Sequence, residues 1–488
     1  MKRLLIRILT LTLALLPVIT CAQGESSMKH INLQVSSKKA GENNPLYTQR
    51  FGADPGVMEY EGRLYVYMTD DQIEHDATGR VVENSYQQIR TINCISSDDL
   101  VNWTDYGRIP VAGPEGVAKW AANSWAPCAA HKKINGKEKF FLYFCNGGNG
   151  IGVLCADSPV GPWRDELGHL LITRAVKNCA DVLWLFDPAV MVDEDGTGYL
   201  AFGGGVPEGK ADAPGTGRIV RLGEDMLSLD SDPVCLNAPW LFEDSGINRI
   251  GDSYYYTYCS NFQTKGNPLG LTDGAIQYMT SDDPLGPYTY RGELFPNEGR
   301  FFGLYGNNHH SLACLDGEWF LFYHNRPVEK AMGITGNYRS PQVDRILFGK
   351  DGLPLQVKGT MKGPDQLRFF DPFRPVPASI MSRQAGITLE GSGSDTRIVG
   401  EAGCWIRISG VDFGSSAKTL EVTAEGACNC TLFAVLDDPE STAVSKIALN
   451  LPDGAAPTVF SAPFSSKGVH DLYLISDGKI ALRSWQIR

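Results

Sequence analysis

Three carboxylates stand at corresponding points of a repeated segment: Asp54 in FGADP, Asp187 in LFDPAV and Glu243 in LFEDSG. A fourth repeat has Trp125 to Pro127 at this point, and a fifth has His309 in GNNHHS. A lone Asp-Pro is a common turn opener. Three acids in matching copies call for another reason. If the repeats converge, burial and like charge push the carboxyl proton affinities apart, and one cavity then holds both an acid and a base. Cleavage of a glycosidic bond needs this pair, a protonated carboxyl for the leaving oxygen and an ionised one acting on water or sugar.

The copies are β-hairpins. In the clearest, residues 184–205, an apolar strand follows Asp187-Pro188, turns at Asp193 to Gly196 and returns through Tyr199 to Phe202 into a glycine run. Taken at Asp54, Pro127, Asp187, Glu243 and His309, the copies lie 56 to 73 residues apart. Echoes at 96–107, 156–166 and 281–293 read as further strand pairs that complete four-stranded units. Five such units around an axis form a β-propeller, whose innermost strands line a central channel. The fold class is therefore all-β: a five-bladed β-propeller followed by a β-sandwich. The expected divisions are a signal peptide at 1–22, a polar leader at 23–44, the propeller at 45–372, a Gly- and Pro-rich linker at 373–380, and a sandwich of short alternating strands at 381–488.

A net charge of −12, from 44 basic and 56 acidic residues, argues against nucleic acid or an anionic membrane as partner. A basic start, an apolar run and a small-residue end mark the first 22 residues as an export signal. Cleavage after Ala22 and lipidation at Cys21 are both compatible with it, so the chain is expected in the periplasm, outside the cell, or lipid-anchored at the surface. No later stretch reads as a transmembrane span. The cysteine spacing is irregular and lacks zinc-type CxxC pairs, which favours free thiols, with Cys145 and Cys259 buried in aromatic strands.

These ordered motifs resemble the family 43 glycoside hydrolases, five-bladed propeller enzymes acting on arabinose- and xylose-containing polysaccharides. The resemblance implies that Asp54 is the general base, Glu243 the general acid, and Asp187 the residue that modulates and orients the acid. It places His309 near the channel beside a structural calcium or its waters, and Arg339 of GNYRSPQ against the sugar. It further implies hydrolysis with inversion, for which the acid and base stand roughly 6.5–9.5 Å apart. No cofactor is required for that chemistry; structural calcium is compatible with the channel and with the C-terminal domain. Phe51, Trp125, Phe242, Phe302 and Tyr305 are candidates for stacking on sugar rings. Trp103, Trp163, His131 and His324 read as packing residues.

The C-terminal segments GCWIRISGVDFG and KGVHDLYLISDGKIALRSWQIR resemble family 6 carbohydrate-binding modules, calcium-stabilised sandwiches that hold sugar on exposed aromatics. Trp405 and Trp485 fall in strand patterns and read as core, so this domain is expected mainly to pack against the propeller. Together these readings describe an inverting enzyme releasing arabinofuranosyl or xylosyl units from hemicellulose. An endo-arabinanase of the same fold is the nearest alternative enzyme. A non-catalytic glycan-binding propeller, or a scaffold for protein partners, leaves the aligned acids without a purpose.

Overall fold

A computed structural model describes residues 28, 31–415 and 417–488, so the expected signal peptide and Cys21 lie outside the described residues. Five antiparallel sheets form the blades of a propeller, and a nine-stranded assembly of sandwich type follows. Blade 1 comprises Ala53–Tyr60, Arg63–Thr69, Thr91–Ser97 and Trp103–Pro110; blade 2, Trp125–Ile134, Lys137–Cys145 and Ile151–Ala156. Blade 3 comprises Ala189–Val192, Gly198–Phe202, Gly217–Arg221 and Val234–Leu236. Blade 4 comprises Leu241–Ile250, Ser253–Ser260, Ile276–Ser281 and Thr289–Phe295; blade 5, His310–Leu315, Glu318–Asn325 and Ser340–Ile346.

The expected four strands per blade hold for blades 1, 3 and 4, whereas blades 2 and 5 carry three. In blade 2 the echo at 156–166 meets the sheet only at a Cys155–Arg164 bridge. Pro159 and Pro162 have no N–H with which to extend a ladder there.

The second strand of blade 2, KEKFFLYFC, is apolar without interruption from Phe140 to Cys145 because both faces of the blade are covered there. Phe140, Leu142 and Phe144 point into a core shared with blade 1, beside Met58, Tyr67 and Trp163. Phe141 and Tyr143 point the other way, onto Leu200 and Phe202 of blade 3. Innermost strands approach closely: a Cβ built on Gly56 would sit 2.0 Å from the Pro127 carbonyl oxygen, so only glycine fits. Trp163 is buried in the first of these cores and Trp103 in a further one between blades 1 and 5, as expected.

Residues 44–52 close the ring by running along the last strand of blade 5. Leu46 N–H donates to Pro341 O and Gly52 N–H to Arg339 O, each at 2.9 Å. The Asn44 amide exchanges hydrogen bonds with the Val343 backbone in both directions.

The leader and linker are more structured than their composition suggests. Met28, Ile31 and Leu33 pack on Trp405, Phe433 and Tyr473 of the sandwich, and the Trp405 indole donates to Gln34 O at 2.9 Å. Ile380–Met381 adds a fifth strand to the outer edge of blade 1. Asn102 and Ser409 exchange hydrogen bonds of 3.0 and 2.8 Å between the two domains. Trp485 lies in the sandwich core with Leu420, Leu432 and Leu474. The eleven described cysteines are all free, and Cys145 and Cys259 are buried.

Candidate active site

The inner strands of blades 1 to 4 enter the channel at a bulge or a sharp turn. Asp54, Ala126, Asp187 and Asp244 share a left-handed backbone there, with φ of 51°, 37°, 47° and 68°. This conformation strains a residue that has a Cβ, so its fourfold recurrence defines the true register of the repeat. In blades 1, 2 and 4 the residue before the left-handed one pairs with the neighbouring strand: Ala53 with Thr69, Trp125 with Cys145, and Glu243 with Cys259. The sequence markers Pro127 and Glu243 are thus displaced by one residue. Ala126 and Asp244 are the equivalents of Asp54 and Asp187, while Glu243 shares its register with Ala53 and Trp125.

A ring of hydrogen bonds joins the blades at this level. The Asp54 amide donates to His324 Nδ1 of blade 5 at 3.0 Å, and the Ala126 amide to Thr69 Oγ1 of blade 1 at 2.8 Å. The Asp187 amide donates to Cys145 Sγ of blade 2 at 3.0 Å, and the Asp244 amide to Asp187 Oδ2 of blade 3 at 3.0 Å. The His310 amide returns to Asp244 Oδ1 of blade 4 at 3.2 Å.

Asp54 is buried, yet richly paired. Arg339 Nη1 donates to its Oδ1 at 2.8 Å and the Thr69 hydroxyl to its Oδ2 at 2.6 Å. Asp71 clamps the same guanidinium through Nε and Nη2, both at 2.8 Å. Burial alone would raise the Asp54 proton affinity, but Arg339, His309, His324 and the Thr69 hydrogen bond outweigh it and pull the carboxyl down to about 2. Asp54 is therefore ionised at any ordinary pH, as a general base must be.

Glu243 is the opposite case. Its Oε1 is sealed from solvent without a hydrogen-bond partner among the described residues. Burial first, then the nearby Asp187, Asp244 and Asp54, push its proton affinity well above the usual carboxyl range. Asp187 is raised to about 7, chiefly by burial and by Asp54 and Asp244, with His309 opposing. One cavity thus holds a strong-acid carboxyl and a proton-retaining one on different blades, the division of labour an acid–base pair requires.

Two histidines complete the site. His309 puts Nε2 3.2 Å from Asp244 Oδ1 and Nδ1 3.6 and 3.9 Å from Asp54 and Asp187. Burial lowers its proton affinity, but these three carboxylates raise it further, to a net increase. His324, expected only to pack, lies in the site. Its Nδ1 accepts the Asp54 amide and its Nε2–H donates to Asn307 O at 3.0 Å, which fixes a neutral tautomer. Burial and Arg339 hold its proton affinity down to about 3.

Calcium takes about six to eight oxygen ligands. Here the channel carboxylates are engaged by Arg339, Thr69, His310 and the Asp244 amide, and both His309 nitrogens face carboxylates. No group of three or more His, Cys, Asp or Glu side chains among the described residues, in either domain, is placed to hold a metal ion.

The aromatic candidates divide. Phe51 is buried in a small cluster against Tyr338, with ring centroids 5.4 Å apart, and offers no free face for stacking. Phe302 packs on Phe301 and Tyr323, whereas Tyr305 is 67% exposed. Trp125 is half-buried, its indole donating to Tyr86 O at 2.9 Å; the Tyr86 ring in turn lies under Arg339, 5.1 Å away. Phe242 belongs to a row, Phe186–Trp184–Phe242–Phe262, with successive centroids 5.3 Å apart. Phe186 and Phe242 immediately precede Asp187 and Glu243, so this row borders the acid side.

Residues 42–354 match the sequence profile of glycosyl hydrolases family 43. The chain belongs to this family. It is a glycoside hydrolase. An arabinoxylan arabinofuranohydrolase of Paenibacillus polymyxa is 42% identical over 476 residues, 92% of this chain and 75% of that one. An arabinoxylan arabinofuranohydrolase of Bacillus subtilis is 39% identical over 486 residues, 94% of each chain. A crystal structure of a family 43 arabinoxylan arabinofuranohydrolase from Bacillus subtilis, in complex with cellotetraose, superimposes with a TM-score of 0.89 at 38% identity, over 93% of this chain and 99% of that one.

For this family 43 enzyme the electrostatics predict a shift on Asp187→Asn. The substitution removes a negative charge that raises the Glu243 proton affinity. Glu243 then deprotonates at lower pH, and the alkaline limb of kcat/KM should move down by about one unit or more, equivalent to about 1.4 kcal/mol. A pH–rate profile checks this; an unmoved alkaline limb contradicts the modulator role.

Several site residues escaped the sequence reading. Asp71 and Tyr86 carry no repeat signal, since they lie at and beyond the end of a second strand. Asp244 was hidden by the register: Asp244-Ser245 aligns with Asp54-Pro55 once the inner strands are superposed.

Proposed function

We propose that this enzyme is an inverting arabinofuranosidase that releases arabinofuranosyl side groups from arabinoxylan. The observation that carries the reading is the opposite displacement of the two proton affinities, Asp54 to about 2 and Glu243 well above its ordinary value. Asp54 takes a proton from water attacking the anomeric carbon while Glu243 protonates the departing oxygen, and Arg339 keeps the base anionic until that moment. Trp125, against Tyr86 and Arg339, and the aromatic row beside the acid that ends in exposed Phe262 offer apolar surface for the sugar chain. The extensive likeness to two arabinoxylan arabinofuranohydrolases supports this substrate.

The sandwich, in this reading, buttresses the propeller despite its resemblance to a carbohydrate-binding module. Its Trp405, Phe433, Tyr473 and Trp485 rings are all buried. The basic and apolar character of residues 1–22 supports export, with the mature chain soluble or lipid-anchored at Cys21.

Incubation of the full chain with wheat arabinoxylan tests the substrate. Free arabinose is the expected monosaccharide, first appearing with inverted anomeric configuration by NMR. Release of xylose alone, or of no sugar, overturns it.

A further inference from the structure

The cross-blade ring contains more charge than closure of the fold requires. At blade 2 it is built from neutral groups: Thr69 accepts the Ala126 amide, and Cys145 accepts the Asp187 amide. At the step from blade 4 to blade 5 the acceptor is instead a wholly buried carboxyl, Asp244. Burying a carboxylate is costly unless each of its partners is well placed, and a hydroxyl or thiol serves closure elsewhere. The charge therefore calls for a use beyond architecture.

Its contacts supply one. Asp244 Oδ1 accepts the His310 amide and lies 3.2 Å from His309 Nε2, while Oδ2 lies 2.5 Å from His310 Nδ1. The Asp244 amide holds Asp187 Oδ2. His310 is fixed from its other side by the Thr257 hydroxyl, 2.7 Å from Nε2. A Cβ on Gly246 would stand 2.1 Å from Thr257 Oγ1 and 3.1 Å from His310 Nε2, so glycine there leaves room for the Thr257–His310 pair. Thr257, His310 and Asp244 form a braced chain ending on the His309 ring. The Nδ1 of that ring, away from Asp244, faces both Asp54 and Asp187.

We propose that Asp244 is a positioning residue for hydrolysis: by holding Nε2 it keeps the His309 Nδ1 turned towards the base Asp54 and the modulator Asp187, and its amide anchors the Asp187 carboxyl beside the acid Glu243. The inference rests on the acid and base assignments made above. Asp54, Asp187 and Asp244 share the His309 imidazole, which has to be held in one orientation if base and acid are to keep distinct roles. The titratable and charged groups facing Asp244 are His309 and His310 from blade 5, Asp187 from blade 3, and Glu243, Tyr256 and Cys259 from its own blade. Asp54 and Arg339 lie beyond His309. A neutral amide at 244 offers one acceptor where two are used, and turns an NH2 group towards a ring nitrogen that now faces an anion.

Asp244→Asn in the full chain, assayed on arabinoxylan beside Glu243→Gln, tests this. The expected result is a kcat lowered about 30- to 100-fold, a KM within about threefold of the parent, and an unchanged circular dichroism spectrum. A folded Asp244→Asn with kcat within about threefold of the parent, or with only KM raised, beside an inactive Glu243→Gln, overturns this inference alone. Full turnover in Glu243→Gln overturns the acid assignment and this inference with it. If Asp244→Asn fails to fold, Thr257→Val decides, since it frees the His310 ring without altering charge. A kcat lowered about 5- to 10-fold at constant KM supports the positioning role, and an unchanged kcat overturns it.

Discussion

Glu243→Gln is expected to lose about 10³-fold in kcat on arabinoxylan while keeping most of its turnover of dinitrophenyl arabinofuranoside. A sugar alkoxide is a poor leaving group and must be protonated as the bond breaks, whereas dinitrophenolate departs unaided. A residue that only shapes the site would slow both substrates alike. Stability gives a second readout. The Glu243 carboxyl is raised in the fold by burial and by Asp187, Asp244 and Asp54. Above the unfolded value near 4.5 the unfolded chain loses this proton and the folded chain keeps it, so ionisation draws the equilibrium towards unfolding. The cost grows by about 1.4 kcal/mol per pH unit until the folded carboxyl also ionises. Gln carries no such penalty, so the variant's melting temperature should exceed that of the parent, by more at pH 8 than at pH 5. Equal losses on both substrates, or a lower melting temperature at pH 8, exclude Glu243 as the proton-bearing acid.

The propeller was legible because its signal is redundant. Each blade repeats an entry residue, two strands and a Gly-containing turn, and five copies correct one another's ambiguities. Single positions lack that protection. Glu243 was aligned with Asp54 because both are acidic, although the ladder pairs Glu243 with Cys259 just as it pairs Ala53 with Thr69. A bulge adds a residue without leaving a mark in composition, so registers one apart look alike until the hydrogen bonds are drawn. Phe51 failed for a related reason: proximity to a catalytic motif does not say which way a ring points, and this one points into a core with Tyr338. His324 read as packing because it ends an ordinary apolar strand. Only its opposition to the channel entry, across from His309, brings its Nδ1 to the Asp54 amide. The leader at 23–44 read only as polar, yet its Met28, Ile31 and Leu33 seat on the sandwich.

Asp54→Asn should be as inactive as the acid variant, with the opposite signature in both readouts. Water must be activated whatever group departs, so dinitrophenyl arabinofuranoside cannot rescue this variant, and kcat should fall about 10³- to 10⁴-fold on either substrate. The stability effect also reverses. Arg339 and the Thr69 hydroxyl help hold the folded Asp54 carboxyl at about 2, below its ordinary 3.8. A depressed carboxyl contributes stability that is fully present above the unfolded value and lost as pH falls through the folded one. At pH 7 that contribution is on the order of 2 kcal/mol, and Asn forfeits it, leaving the buried Arg339 with Asp71 as its one anionic partner. The melting temperature should fall by several degrees at pH 7, and the difference from the parent should shrink below about pH 3, where the parent loses the same contribution. Two carboxyl-to-amide changes in one channel thus abolish the same reaction while moving stability in opposite directions. A base and an acid held apart by Arg339 and by burial require that contrast; two interchangeable carboxylates would give parallel shifts. An Asp54→Asn enzyme rescued by the better leaving group, or as thermally stable as the parent at pH 7, contradicts the assignment of Asp54 as the base.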